Sequence, residues 1–143
     1  MVKVELEEGQ REAIQLSYVV IAVRHDGGWL FVKHRRRGGW EMAAGHPGIN
    51  EGDAEAAVRE LTEETGAIDF IMEPVTYYSV DSGYGKQYGR LFFAEVEKLG
   101  AFSDTDEIEE VKVFRRLPRN LSLGEVMSFL FGVARRHYEG LKV

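Results

Sequence analysis

The chain has 143 residues, 44% apolar and 11% aromatic, with a net charge of −6 and no cysteine. One core's worth of apolar side chains points to a single domain over 1–143, and the lack of thiols fits a reducing compartment such as the cytoplasm while excluding a disulfide framework, a thiolate metal site and a cysteine nucleophile. The acidic balance argues against general nucleic-acid binding but not against a polyphosphate whose charge is met by metal ions, and no apolar run approaches signal-peptide or membrane-spanning length.

The first sixteen residues carry no usable motif. After them, "SYVVIAVR" and "WLFVKH" are β-branched and aromatic runs joined by "HDGG", and Asp-Gly between two such runs predicts a hairpin. A basic, Gly-rich loop then leads through "WEM" into a helix over Asp53 to Thr65, stopped by Gly66. "FIMEPVTYYSV" and "RLFFAEV" read as two strands around the loop "DSGYGKQYG", and "VKVFRRL" as a further strand after an acidic loop. A second helix is expected from Ser122, because Ser122 and Glu125 have capping-box spacing and Val126, Phe129, Leu130 and Val133 recur at helical intervals. The layout is a mixed sheet with two helices, α+β.

At about 100° per residue, Ala54, Ala57, Val58 and Leu61 fall on one face of the first helix and Glu60, Glu63 and Glu64 on the other. Glu60 and Glu64 are like charges at i,i+4, a cost of about 0.2–0.5 kcal/mol in an isolated helix, which Arg59 can offset by pairing with Glu55 or Glu63. The plain interpretation is a solvated face. Three carboxylates within one turn are also a ready oxygen-ligand set for a hard divalent cation, and the preceding loop, "AAGHPG", can bring a backbone carbonyl beside them. Together these features suggest metal-assisted attack of water on a phosphoryl group.

Residues Gly45, Glu51, Arg59, Glu60, Leu61, Glu63, Glu64, Gly66 and Ala67 match the Nudix signature G-x5-E-x7-R-E-U-x-E-E-x-G-U, where U is aliphatic, at every fixed position. The chain therefore resembles the Nudix hydrolase family from about Ser17 to His137. The resemblance implies an α/β/α sandwich around a mixed sheet and Mg²⁺ or Mn²⁺ as cofactor. It further implies catalytic roles for Glu51, Arg59, Glu60, Glu63 and Glu64, with metal ligation by Glu60, Glu63, Glu64 and the carbonyl of Ala44. Within the family the chain looks most like the MutT-type and YtkD-type nucleoside triphosphate pyrophosphohydrolases. Gly45 would allow a tight turn, and Ala43-Ala44 departs from the usual Pro-Gly before it, because alanine resists positive φ. The family often takes a further acid from a later loop, for which "SDTDEIEE" offers Asp104, Asp106, Glu107, Glu109 and Glu110.

The basic run Lys33 to Arg37 precedes the box, and Arg35, Arg36 and Arg37 are candidates to meet substrate phosphates, against a solvated loop tip. Trp40, Tyr84 and Tyr88 are candidates for stacking a nucleobase, against core or turn roles. His25, His34, His46 and His137 lack ligand-pair spacing. The expected partner is a nucleotide or nucleotide conjugate. An RNA 5′ end, an ADP-sugar and a dinucleoside polyphosphate stay open as substrates, as does a non-catalytic nucleotide sensor, because the surrounding loops choose the leaving group.

Overall fold

The computed structural model describes residues 2–7 and 16–141. In chain order the elements are β1 (Lys3–Glu7), β2 (Tyr18–His25), β3 (Gly28–His34), β4 (Trp40–Glu41), β5 (Ala43–Gly45), α1 (Asp53–Thr65), β6 (Ala67–Asp81), β7 (Lys86–Leu99), β8 (Ile108–Phe114) and α2 (Gly124–Leu141). Among the described residues the strands form one sheet with the central order β1-β6-β7-β2-β3-β4, β5 pairing with β2 and β8 with β3. β2 runs parallel to β7, whereas β2–β3 and β6–β7 are antiparallel, so the sheet is mixed as expected. The β2–β3 turn carries positive φ at Asp26 (50°) and Gly27 (78°), the geometry that an Asp-Gly hairpin adopts to match strand twist.

Strand alternation sorts the core into two layers. Val20, Ala22, Phe31, Leu91 and Phe93 pack with Met127, Leu130 and Phe131 of α2. Val19, Ile21, Val23, Leu30 and Phe92 pack with Ala56, Ala57 and Leu61 of α1. One helix therefore covers each face, which makes an α/β/α sandwich, and β2 reads as a continuous apolar run because both its faces are buried.

Several details differ from the sequence reading. β6 and β7 extend beyond "FIMEPVTYYSV" and "RLFFAEV" and leave only residues 82–85 between them, with Gly83 and Gly85 at φ 93° and 145°. β1, in the stretch without a motif, is a short strand paired with Tyr77 to Asp81 of β6. The Ser122 capping box does not form. Leu123 takes φ 54°, α2 begins at Gly124, the Ser122 N–H bonds the Trp40 carbonyl at 3.1 Å, and its hydroxyl is buried without a partner among the described residues. In α1 the buried residues are Ala56, Ala57, Glu60, Leu61, Glu64 and Thr65, whereas Ala54 is exposed and Val58 is 41% exposed. The helix is thus rotated toward its glutamates: Ala57, Leu61 and Glu64 stand at i, i+4 and i+7, one stripe facing the sheet.

Candidate metal centre and substrate cavity

The segment before α1 is organised by charge. Glu51 accepts the Gly48 N–H at 2.8 Å and holds Arg59 through Nε at 2.8 Å and Nη2 at 2.9 Å. The remaining Arg59 bonds reach Glu60 at 2.8 Å, Glu63 at 3.1 Å and the His46 carbonyl at 3.1 Å, so every guanidinium N–H donor has an acceptor. Arg59 does not pair with Glu55. That side chain instead reaches back to the Gly52 N–H at 3.3 Å, at the helix N-terminus. This fork ties three acids to one cation and offsets the like-charge cost of gathering them.

β5 forms the other wall. Its Ala44 N–H donates to Glu64 Oε1 at 3.0 Å, fixing that carboxylate against the strand. Ala43 and Ala44 pair with Ile21 and Val20 as ordinary strand residues, so their replacement of Pro-Gly needs no positive φ. Gly45 is likewise not a positive-φ turn. A Cβ placed there would collide with the Glu60 carboxylate, so glycine is required for room.

The acidic loop arrives from the far end of α1. The last turn of the helix leaves the Glu63 carbonyl open, and it accepts the N–H groups of Ser103 (3.0 Å) and Asp104 (2.9 Å). Gly66, at φ 79°, ends the helix and takes the Gly100 N–H on its carbonyl at 2.7 Å. Arg35 braces the loop from the opposite side, its N–H on the Glu107 carbonyl and its Nε on the Thr105 carbonyl, both at 2.8 Å. The result is a cluster in which Glu64, Asp104 and Glu107 each present a carboxylate oxygen, all within 4.8 Å of one another. Glu60, Glu63, Asp104, Asp106 and Glu107 line the adjoining open hollow, whereas Glu109 lies 4.0 Å from Lys33 and Glu110 is exposed on β8.

Burial dominates the electrostatics of the centre. It pushes the Glu64 carboxyl up to about 9, with Glu60, Asp104 and Glu107 adding repulsion, and it also raises Glu60 against the opposing pull of Arg59. Glu51, in its fork with Arg59, is held down to about 2. A buried carboxylate facing further carboxylates, all oxygen donors, suits a hard divalent cation that would cancel this repulsion.

Beside the cluster lies a cavity of about 250 Å³, whose lining includes Val20, His34, Glu41, Glu64, Tyr78 and Met127. It opens where the hairpin parts: β2 and β3 pair only from Val23 to His25, after which β2 pairs with β5 and β3 with β4. The basic run is divided by this geometry. Arg37 forms a two-pronged ion pair with buried Glu41 at 2.6 and 3.0 Å, Arg35 holds the acidic loop, and Arg36 engages its backbone amide alone among the described residues. Trp40 packs edge-on against Phe114 at 4.8 Å, Tyr84 is fully exposed, and Tyr88 is half-buried. His25 donates to the Val96 carbonyl and His46 to the Ser17 carbonyl, each at 2.8 Å, and His137 sits 3.6 Å from Glu73.

Residues 14–120 match the NUDIX domain. The chain belongs to the Nudix family. It is 31% identical over 137 residues to the Bacillus subtilis (strain 168) protein named "Putative 8-oxo-dGTP diphosphatase YtkD", covering 88% of this chain and 86% of that one. A mutant of the Bacillus subtilis pyrophosphohydrolase BsRppH superposes with a TM-score of 0.80 at 27% identity, covering 97% of this chain and 90% of the other. A UDP-X diphosphatase shares the fold at TM-score 0.73 and 20% identity, over 92% of this chain and 66% of its own. This Nudix hydrolase therefore carries its signature on the helix, the β5 wall and the glycine that the geometry independently brings together. The additional acids, Asp104 and Glu107, lie outside the signature; the resemblance pointed to their loop, and the sequence offered five acids there without choosing among them.

Proposed function

We propose that this Nudix hydrolase is a single-domain cytoplasmic enzyme that splits a nucleoside triphosphate, normal or oxidised at its base, into a nucleoside monophosphate and pyrophosphate. The observation that carries this reading is the carboxylate cluster Glu64–Asp104–Glu107, of which Glu64 and Glu107 also line a mostly apolar cavity, so that a reacting pyrophosphate and a base have adjacent seats. The names of the YtkD and BsRppH relatives support the same reaction class.

Glu60, Glu63, Glu64, Asp104, Glu107 and the carbonyl of Ala44 are the groups that would hold Mg²⁺ or Mn²⁺. Bound there, the cation supplies charge neutralisation on the phosphoryl oxygens and a more acidic water. Arg59 keeps Glu60 and Glu63 in place, and Glu51 anchors Arg59, so their contribution is preorganisation. Arg36 is placed to attract substrate phosphates, whereas Arg35 and Arg37 act through the acidic loop and Glu41. Trp40 supports the loop beside the cavity through Phe114 and Leu121.

Incubation of the purified protein with a panel of nucleoside triphosphates, oxidised nucleotides and nucleotide conjugates, with Mg²⁺ or Mn²⁺, tests the reading by product mass. Monophosphate plus pyrophosphate from a triphosphate is expected. Recovery of every triphosphate intact while a conjugate is cleaved would reassign the substrate, and recovery of all compounds intact would make the protein a sensor.

A further inference from the structure

Leu123, just before α2, is held in a backbone state that its residue type disfavours. Among the described residues Asp26, Asn50 and Leu123 take positive φ outside glycine, and the first two are types whose short polar side chains tolerate it. Leu123 is 52% exposed yet lines the cavity, so it stands at the cavity's rim. Immediately before it, the Ser122 hydroxyl is buried against Gly39 with no hydrogen-bond partner among the described residues. A strained backbone and an unpaired hydroxyl, each unfavourable by itself, therefore sit side by side.

The local sequence specifies a different helix start. With Ser122 as N-cap, Glu125 falls at N3, and Leu121 and Val126 fall at N′ and N4, the positions of a capping box and a hydrophobic staple. Leu121 and Val126 already pack against the same core cluster. Leu123 would then be the first helical residue. Met127, Leu130 and Ala134 stand at i+4, i+7 and i+11 from it and are buried, so a helical Leu123 joins the stripe of α2 that faces the sheet. The rearrangement is small. The Met127 N–H already bonds the Leu123 carbonyl at 2.9 Å, as it would in the longer helix, and the Ser122 N–H can stay on the Trp40 carbonyl at 3.1 Å. The Ser122 hydroxyl and carbonyl would gain the N–H groups of Glu125 and Val126, first-turn donors that have no acceptor within a helix beginning at Gly124.

We propose that residues 121–125 form a two-state helix start: in the open state α2 begins at Gly124 with Leu123 turned outward, and when a ligand fills the cavity α2 re-caps on Ser122 and Leu123 folds onto the buried stripe, closing the rim. The ligand drives the change because it offers the half-exposed Leu123 a surface to bury against and so binds the closed state more tightly. Leu123, Val126 and Met127 line the cavity and Ser122 does not, so the Ser122 hydroxyl influences a ligand only through the helix start. The proposal rests on the nucleotide reading above for the identity of the ligand alone.

The test compares Ser122→Ala, Leu123→Gly and Leu123→Met with the parent, using α,β-methylene analogues of ATP and GTP with Mg²⁺, in which the bond to be cleaved is blocked. Without ligand, Ser122→Ala removes an unpaired buried hydroxyl and should melt at or above the parent temperature. The same variant should bind the analogues about fivefold more weakly, because the closed state loses its cap. Exchange of the Glu125 amide, followed by NMR, should slow by about tenfold when an analogue saturates the parent, and not in Ser122→Ala. Leu123→Gly relieves the strain of the open state, so it should also melt at or above the parent yet bind the analogues more weakly, whereas Leu123→Met should stay within about twofold of the parent affinity. A Ser122→Ala variant that melts clearly below the parent would show that the hydroxyl is already bonded and would overturn the proposal. Parental analogue affinity in that variant, or a Glu125 amide that a bound analogue leaves unchanged, would overturn it equally. A parent that binds neither analogue sinks the nucleotide reading, and the ligand-free melting of Ser122→Ala and Leu123→Gly then decides the helix start alone.

Discussion

The backbone N–H of Asp104 donates to the carbonyl of Glu63 at 2.9 Å, so the open C-terminal end of α1 carries the loop that completes its own acidic cluster. Helix ends leave carbonyls without partners, and here that vacancy positions a side chain from forty residues further along beside Glu64. The acidic cluster is thus shared between the signature helix and a loop with no signature of its own.

If Asp104 and Glu107 complete the centre, Asp104→Asn and Glu107→Gln should each lower kcat/KM about 10- to 100-fold and shift the Mg²⁺ titration to higher concentration, in the range seen when groups supporting a metal are removed. Glu110→Gln, on the exposed side of β8, should stay within about 0.5 kcal/mol of the parent in stability and near it in rate. Equal rates for all three variants would dissolve the cluster as a functional unit.

Burial raises Glu64 from the ordinary 4.5 to about 9 in the cation-free protein. Between those pH values the folded state keeps a proton that the unfolded chain has released, so this contribution to stability is whole below the unfolded value and drains away as pH rises toward 9. Melting temperature in chelator should therefore fall from pH 5 to pH 9, and Glu64→Gln should flatten that slope while abolishing Mg²⁺-dependent turnover. A parent protein whose chelated melting curve is level across this range contradicts the assignment.

Arg59→Lys keeps the charge but loses the fork that binds Glu51 through two nitrogens while reaching Glu60 and Glu63. The buried Glu60 carboxylate left without its donor costs about 1–3 kcal/mol and should move, so both stability and kcat should drop, kcat by about 100-fold. Denaturant titration and steady-state kinetics on the same sample check both; a stable variant with parental kcat would show that preorganisation by Arg59 is dispensable.

Gly45→Ala places a methyl group into the Glu60 carboxylate. Overpacking costs about 1–3 kcal/mol, and the carboxylate must give way, so activity should fall more than folding does. Thermal melts alongside Mg²⁺-dependent rates measure the split.

The three arginines of the basic run should not behave alike. Arg36→Gln should raise KM a few-fold at low salt, an effect that moderate salt erases, since an exposed cation is screened. Arg35→Gln, by loosening the Thr105 carbonyl, should reduce kcat and Mg²⁺ affinity together. Identical, salt-sensitive KM effects for both would mean that Arg35 is a phosphate contact after all.

Much of this protein is written locally. The Asp26-Gly27 turn, the α1 limits with Gly66 as its stop, and the spacing of Glu51, Arg59, Glu60, Glu63 and Glu64 follow from short-range preferences and a fixed pattern, so the α+β layout and the family were legible before any coordinates. What lay beyond reach was each feature set by partners distant in sequence. The rotation of α1 that buries Glu64 depends on the Ala44 N–H and on the room at Gly45. The choice of Asp104 and Glu107 from a run of acids depends on the Glu63 carbonyl, and the loss of the Ser122 cap on the pull of the Trp40 carbonyl. Single-helix periodicity weighs only apolarity around an axis and has no term for a polar group stabilised by a strand that folds against it, so the sequence alone identifies the ligand types, and tertiary contacts decide which of them meet.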